Sequence, residues 1–321
     1  MSSIVDTPYS QQPQPKSGWQ LFKSLASGEY TPGLAWQNPS YRRKFMLRSL
    51  ATPFSTTRLL ASLASLAKQP RLMQMMQVQP GLPCRLHRPW LSVNMDRQKT
   101  LDALAWHYQT MNSVLPAALM NGYLSKQGMT LLTLTGKDEQ QFTVRLCADA
   151  FLDKEGEATL AFCDRENTVL AELTFTLCQF EGKSTLFIGG MQGAKAFVPH
   201  ELIQGATKAC HGLFPKRLLV EAAMTLGAVF PVEQILAVSN ATHIYRSWRY
   251  RKKKEGKLLA DYDSFWRSIG GEQHPTGNFS LALEMPRKPM EDIASKKRAE
   301  YRRRYELLDS LIAQVNQAAR G

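Results

Sequence analysis

The feature that most constrains this chain is a change of hydrophobic period near residue 129. Five short runs follow, at 129–135, 142–148, 158–163, 169–180 and 184–188, each rich in apolar and β-branched residues. Polar turns such as Gly136-Lys137-Asp138 and Asp164-Arg165-Glu166-Asn167 separate them. Parallel pairing needs a crossover of a dozen or more residues, so connections this short imply an antiparallel meander.

Around that meander the pattern is helical. Apolar residues at helical spacing predict helices over 40–68, opening at a Ser cap, and over 96–121, with Leu101, Leu104, Tyr108 and Met111 on one face. Pro80, Pro83 and Pro89 mark an irregular connection between them. A helix or helix pair is expected over 199–229, strands at 235–239 and 279–285, and a long polar helix over 289–319. Residues 1–18, rich in Ser, Gln and Pro, carry no periodic apolar face and are expected to be unstructured. The expected fold is therefore α+β: a helical N-terminal region, a central, mostly antiparallel sheet with flanking helices, and a long C-terminal helix. By region, 1–35 is a poorly ordered start, 36–125 a basic helical region, 126–288 the α+β core and 289–321 the basic closing helix.

Charge narrows the partners. The chain carries a formal net charge of +13, which favours anionic partners. No Asp or Glu occurs between Tyr30 and Asn94, whereas Arg42, Arg43, Lys44, Arg48, Arg58, Lys68, Arg71, Arg85 and Arg88 all do. Leu47, Leu50, Leu59, Leu60 and Leu63 recur beside them, a pattern that suits a helix lying on an anionic membrane surface; a solvated face of a helix packed on the core is the alternative. A second cluster, Arg246, Arg249, Arg251, Lys252, Lys253, Lys254 and Lys257, interleaves with Tyr245, Trp248 and Tyr250, and a third runs from Arg287 to Arg304. Aromatic and basic residues together also suit single-stranded nucleic acid, though no RRM, KH or zinc-finger signature accompanies them.

The polar start lacks the basic and then apolar stretches of a secretory signal, so a cytoplasmic chain, peripheral on the inner membrane, is expected. The five cysteines form no CxxC pair and have no His at metal-ligand spacing. They are expected to be reduced, mostly buried small hydrophobes, with no metal site.

Specific segments resemble the VirK/YbjX (DUF535) family: Gly189-Gly190-Met191-Gln192-Gly193; Thr207-Lys208 with His211-Gly212-Leu213 and Pro215-Lys216; His243-Ile244-Tyr245-Arg246; Tyr262-Asp263-Ser264-Phe265-Trp266 with Gly270-Gly271; and the stretch from Lys296 to Tyr305. The resemblance covers most of the chain after about residue 35. It implies a bacterial protein associated with virulence, envelope fitness and tolerance of antimicrobial peptides, and it implies no particular reaction.

The order of elements resembles that of the GNAT acyltransferases. In that superfamily a turn after the fourth strand presents backbone N–H groups to the pyrophosphate of CoA at a helix N-terminus. The resemblance makes Gly190, Gln192, Gly193, Ala194 and Asn240 candidates for holding acyl-CoA, with Tyr245 as general acid and His243 or Glu201 as base. The usual Q/R-x-x-G-x-G/A spacing is missing here. The alternatives are a bulge or tight turn for the glycines and a half-buried aromatic edge for His243 and Tyr245. No Walker loop, G-x-S-x-G elbow or HExxH is present. The expected function is support of envelope remodelling, as an acyltransferase acting on an anionic envelope precursor, with a non-enzymatic membrane adaptor binding lipid or a protein partner as the first alternative and a nucleic-acid-associated protein as the second.

Overall fold

The structure is a computed structural model that describes residues 15–66, 71–254 and 261–321. Two compact units divide the chain, Met1–Cys84 and Arg85–Gly321.

The N-terminal unit is helical: α1 (Gly18–Ser27), α2 (Leu34–Gln37), α3 (Pro39–Ala51), α4 (Pro53–Leu66) and α5 (Arg71–Val78). The Ser17 hydroxyl caps α1 by accepting from the Gln20 N–H, and Asn38 caps α3 by accepting from the Ser40 N–H. The expected single helix over 40–68 is thus two, because Pro53 cannot continue α3 and instead opens α4. Lys68 lies outside the described residues. The poorly ordered start expected as far as residue 35 gives way to helix at Gly18: Leu21 and Leu25, four residues apart, are completely buried. Trp36 anchors the unit, edge-on to Tyr41 and Phe45, with its indole N–H donating to the Pro80 carbonyl at 2.7 Å.

The C-terminal unit holds one eight-stranded sheet in the order β1-β2-β3-β4-β5-β6-β8-β7. Its strands are β1 (Met129–Thr135), β2 (Gln141–Cys147), β3 (Ala158–Asp164), β4 (Val169–Phe180), β5 (Lys183–Gly193), β6 (Gln234–Ala237), β7 (Glu272–Gln273) and β8 (Phe279–Leu281). The first five form the expected antiparallel meander. β5 and β6 are parallel, and the connection that parallel pairing demands is the helix pair α8 (His200–Ala209) and α9 (Pro215–Val229). Helix α6 (Arg97–Val114) and α9 both pack on β4, which is buried at nearly every position because both of its faces are covered.

α6 and α7 (Ala117–Tyr123) belong with this sheet and not with a helical region over 36–125, and Pro116 divides the helix expected over 96–121. The return strand β8 is shorter than expected. The closing helix α12 begins at Ser295, not near Pro289, and packs on α9 and β1. No helix among the described residues is long and apolar enough to cross a membrane.

Two local features shape the far end of β5. Gly189 is the extra residue of a β-bulge: Phe175 pairs with Ile188 and Thr174 with Gly190. The glycine segment thus lies inside β5, which runs five residues beyond the expected end, and is not the turn after it. β6 pairs with β5 only as far as Ala237, and after the bond from the Val238 N–H to the Ile188 carbonyl the parallel strands part. Helix α11 (Tyr262–Ser268) lies at the opening: the Tyr262 hydroxyl accepts from the Met191 N–H at 3.2 Å, and the Trp266 indole donates to the Val238 carbonyl at 2.8 Å.

Candidate active site

A buried carboxylate that sequence reasoning missed stands where the strands part. Glu155 stands between β2 and β3, in the segment 148–157, and is 2% exposed. Its carboxylate lies where β5 carries no side chains: a Cβ on Gly190 would stand 1.9 Å from Glu155 Oε2, and one on Gly189 would stand 2.0 Å from the Glu155 carbonyl oxygen. The two glycines make room for this acid to press against the bulged strand.

Three side chains face it, and a fourth backs one of them. Gln192 Nε2 donates to both carboxylate oxygens, at 3.2 and 3.0 Å. Tyr245, on the short turn of 3-10 helix Ile244–Arg246, hydrogen-bonds to the carboxylate through its hydroxyl. His243 Nε2 lies 3.6 Å from Oε1. Tyr262 stacks on the His243 ring at a centroid distance of 5.1 Å, and Tyr245 meets that ring edge-on. His243 Nδ1 accepts from the Tyr245 N–H, which places the ring proton on Nε2, facing the carboxylate. His243 is 1% exposed and its Nε2 has no hydrogen-bond partner within normal distance. Among the described residues Glu155 forms no ion pair with Lys or Arg.

Burial, together with the charge of Glu155 and the hydrogen bond to it, raises the Tyr245 phenol above its ordinary range, and burial with the same carboxylate does so for Tyr262. Both remain protonated donors at neutral pH. On the outer side Gln192 pairs across the strands with Glu172, whose carboxyl is raised by burial and by nearby Asp149 and Glu155, with Lys195 opposing. Gln192 and Tyr245 are half-buried, the least buried members of the cluster. The arrangement is a buried acid in a basic protein, a proton acceptor in contact with a phenolic proton donor.

The structure brings Tyr245, His243, Gly190 and Gln192 into this cluster. It leaves Glu201 out: that residue is exposed in the first turn of α8 and touches none of these groups. Asn240 serves a structural purpose, its side chain accepting from the Tyr262 N–H and donating to Asp261, the N-cap of α11. The residues read as a CoA cradle therefore do not fit that group. Gln192 turns inward to Glu155, the Met191 N–H is taken by Tyr262, and α8 starts only at His200 with an acid beside its N-terminus, leaving only Gly193 and Ala194 without such ties.

The segment that carries Glu155 is held by a second buried network. Arg85, completely buried, pairs with Asp153 at 3.0 Å and with Glu157 at 2.8 Å, and Arg88 also bonds Asp153. Burial acts to raise the Asp153 carboxyl, but the two arginines hold it below its ordinary value. The Tyr108 hydroxyl donates to Glu157 at 2.7 Å, and the Tyr123 hydroxyl donates to the Glu157 carbonyl at 2.9 Å. His107 Nδ1 accepts from the Leu177 N–H, and its Nε2 lies 3.2 Å from the Tyr123 hydroxyl; burial lowers its pKa to about 3.

The remaining site candidates fall elsewhere. Arg42 is drawn in to cap α2, donating to the carbonyls of Trp36 and Gln37, whereas Arg43, Lys44 and Arg48 are exposed, as are Arg251 and Lys252 on α10 (Trp248–Lys254). The side chains of Lys253 and Lys254, and Lys257, lie outside the described residues. The aromatic and basic stretch is engaged locally: Arg246 donates to the Asn240 carbonyl, Arg249 to that of His87 and Tyr250 to that of Pro89, leaving Trp248 as the exposed ring. All five cysteines are free thiols, and burial pushes Cys147, Cys178 and Cys210 up to about 12. Among the described residues no cluster of His, Cys, Asp and Glu is disposed to hold a metal ion.

A mixed α+β protein with a mostly antiparallel sheet and a buried acid–phenol cluster is the class that fold and site define. Residues 35–317 match the family described as "Protein of unknown function (DUF535)", and the chain belongs to that family. It is 48% identical over 305 residues to the uncharacterized protein YbjX of Escherichia coli (strain K12), covering 95% of this chain and 91% of that one. An uncharacterized protein of Haemophilus influenzae is 29% identical over 217 residues, or 68% of this chain and 70% of that one. Among solved structures, a cAMP-binding acyltransferase from Mycobacterium smegmatis aligns over 68% of this chain and 60% of that chain with a TM-score of 0.26 and 10% identity, a likeness too slight to carry an argument.

Proposed function

We propose that this chain is an acyl-transfer enzyme serving the bacterial envelope, and that its acceptor is a cationic amine. The observation that supports this reading is the Glu155 carboxylate: buried, without a Lys or Arg partner, in contact with the Tyr245 phenol and facing His243 where two parallel strands part. Buried acids are normally neutralised by cations. One left without a cation, beside a protonated phenol and near Glu172, suits a site that receives positive charge from its substrate.

In this reading the acceptor ammonium gives a proton to Glu155, and the free amine attacks the acyl carbonyl. The N–C bond forms, the bond from carbonyl carbon to leaving group breaks, and Tyr245 donates its proton to the departing atom. Glu155 passes the proton it holds to the phenolate through the Glu155–Tyr245 contact, takes the second proton from the amide nitrogen and releases that proton to solvent. Gln192 and the His243 Nε2–H orient the carboxylate. No step is drawn through CoA, because the residues expected to cradle it are bound to protein groups.

The test is acyl transfer to a panel of amines, with acyl-CoA and acyl-phospholipid donors in separate arms, for the wild-type chain and for Glu155→Gln and Tyr245→Phe. Glu155→Gln is expected to lower the rate by about 10²–10⁴-fold with the circular dichroism spectrum unchanged. The same variant is expected to fail in restoring antimicrobial-peptide survival to a bacterium lacking its own copy of the gene. Full activity and full rescue by Glu155→Gln would remove the proposal.

A further inference from the structure

The N-terminal unit carries a surface that the Glu155 site does not explain. Trp19, Leu47, Leu50 and Phe54 are 73, 68, 73 and 87% exposed. On α3, Phe45 and Ser49 are buried, and at 100° per residue Arg43, Leu47 and Leu50 fall on the opposite side of the helix, with Lys44 and Arg48 along one flank. A groove of about 260 Å³ between α1 and the α3–α4 turn is lined by Trp19, Phe22, Leu50, Pro53 and Leu60, so Trp19 and Leu50 belong to one continuous apolar face. Phe54 comes next, in the first turn of α4.

Single exposed apolar residues need no explanation, but a contiguous group does. Here that group is ringed by Lys23, Arg43, Lys44 and Arg48, all exposed, and no Asp or Glu occurs from Tyr30 to Asn94. A protruding aromatic and aliphatic rim with cations around it, in a unit whose described residues include a single carboxylate side chain, Glu29, matches the boundary of an anionic bilayer, where the rings sit at headgroup level and the cations meet phosphate. Nucleic acid would use the cations but leave Leu47, Leu50 and Phe54 in water.

We propose that α1, α3 and the start of α4 dock on an anionic phospholipid surface, with Trp19, Leu47, Leu50 and Phe54 entering the headgroup boundary and Arg43, Lys44 and Arg48 pairing with lipid phosphates. The surface belongs to the N-terminal unit and shares no residue with the Glu155 cluster, so it stands or falls independently of the reaction proposed for that site.

The experiment is co-sedimentation of the full-length chain with vesicles of phosphatidylcholine alone and of phosphatidylcholine with 30% phosphatidylglycerol (about a third anionic, enough for a negative surface potential). Binding to the anionic vesicles is expected to be at least about tenfold tighter and to fall at high salt as the charges are screened. Arg43→Glu with Lys44→Glu, and separately Leu47→Ser with Leu50→Ser and Phe54→Ser, are each expected to release the chain by about tenfold or more. All five positions are exposed, so circular dichroism should match wild type. Equal binding to both vesicle types, no binding to either, or indifference to the apolar substitutions would overturn the proposal. Salt-sensitive binding to RNA or duplex DNA, undisturbed by the three serines and unaccompanied by vesicle binding, would identify the surface as a nucleic-acid site instead.

Discussion

Two glutamates two residues apart on one segment have opposite surroundings. Glu157 is completely buried and fully engaged, held by the Arg85 guanidinium and the Tyr108 hydroxyl. Glu155 is as well hidden from solvent, yet it meets only a Gln amide, a phenol and an imidazole that stands off at 3.6 Å. The first arrangement is what a folded chain needs in order to bury a charge. The second leaves interaction capacity in hand, which is what a site needs in order to act on something that arrives. The rigid acid carries the reactive one, because Asp153 and Glu157, on either side of Glu155, are both pinned by Arg85.

The largest effect should come from breaking the saturated side. Arg85→Met leaves Asp153 without its completely buried partner and Glu157 without a cation, and removing one member of a buried ionic network costs about 3–5 kcal/mol. Urea unfolding is expected to show a loss of that size. A loss under about 1 kcal/mol, the range of an exposed pair, would mean that the network does not hold the segment. The glycines probe the boundary between the two acids. At Gly189 a methyl group would meet the Glu155 carbonyl, which is backbone and cannot swing away, whereas at Gly190 it would meet the end of the Glu155 side chain. Gly189→Ala is therefore expected to lose about 3 kcal/mol, at the upper end of overpacking costs. Gly190→Ala should lose less stability but displace the carboxylate, lowering activity more than its stability loss accounts for. Equal stability losses at the two positions would contradict this division.

The meander was legible in the sequence because its strands are short, β-branched and separated by turns that allow only antiparallel pairing. Glu181-Gly182, both at positive φ, closes the β4–β5 hairpin with two residues. The helix pair after β5 could also be read there, and His243, Tyr245, Gln192 and Gly190, singled out in the sequence as candidates, lie together around Glu155 in the fold. Glu155 could not. It stands in 153-DKEGE-157, which looks like a solvated turn, and only Arg85, some 70 residues earlier, together with two tyrosines from α6 and α7, turns that segment inward. Asn240 was misread for a related reason: Asn beside a strand end is as suited to capping a later helix as to holding a ligand, and the partner that decides, Tyr262, is distant in sequence. Gly189 and Gly190 did carry a usable signal. Paired glycines inside a β run ask what approaches the backbone so closely, and here it is Glu155.

A moderate effect is expected from pH. His107 is neutral in the folded chain, its pKa lowered to about 3 by burial, but takes a proton near pH 6.5 once unfolded. A depressed pKa of this kind gives stability that is fully present above pH 6.5 and is lost as the pH falls towards 3, at up to about 1.4 kcal/mol per pH unit. Between pH 6.5 and 5 the chain should lose about 1.6 kcal/mol from this residue alone. Asn at position 107 can accept from the Leu177 N–H but has no proton to gain. Unfolding of His107→Asn at the two pH values is expected to show a difference smaller by about that amount, and an unchanged difference would place the acid sensitivity in another group.

The smallest effect on stability should come from the residue with the largest effect on activity. Glu155→Gln keeps the shape of the side chain and removes a buried charge that no cation offsets. It weakens one of the two contacts with Gln192 but also removes the cost of keeping an unpaired carboxylate away from water. These changes oppose each other, so the variant should unfold within about 1 kcal/mol of wild type, while Glu157→Gln, which strips the Arg85 pair of its charge, should lose several times more. Sites arranged for function are often not arranged for greatest stability, and a substitution that leaves stability intact while abolishing activity is the signature of that trade. If Glu155→Gln instead destabilises the chain as much as Glu157→Gln does, the two acids are equivalent anchors of one segment, and acyl transfer at Glu155 loses the residue on which it rests.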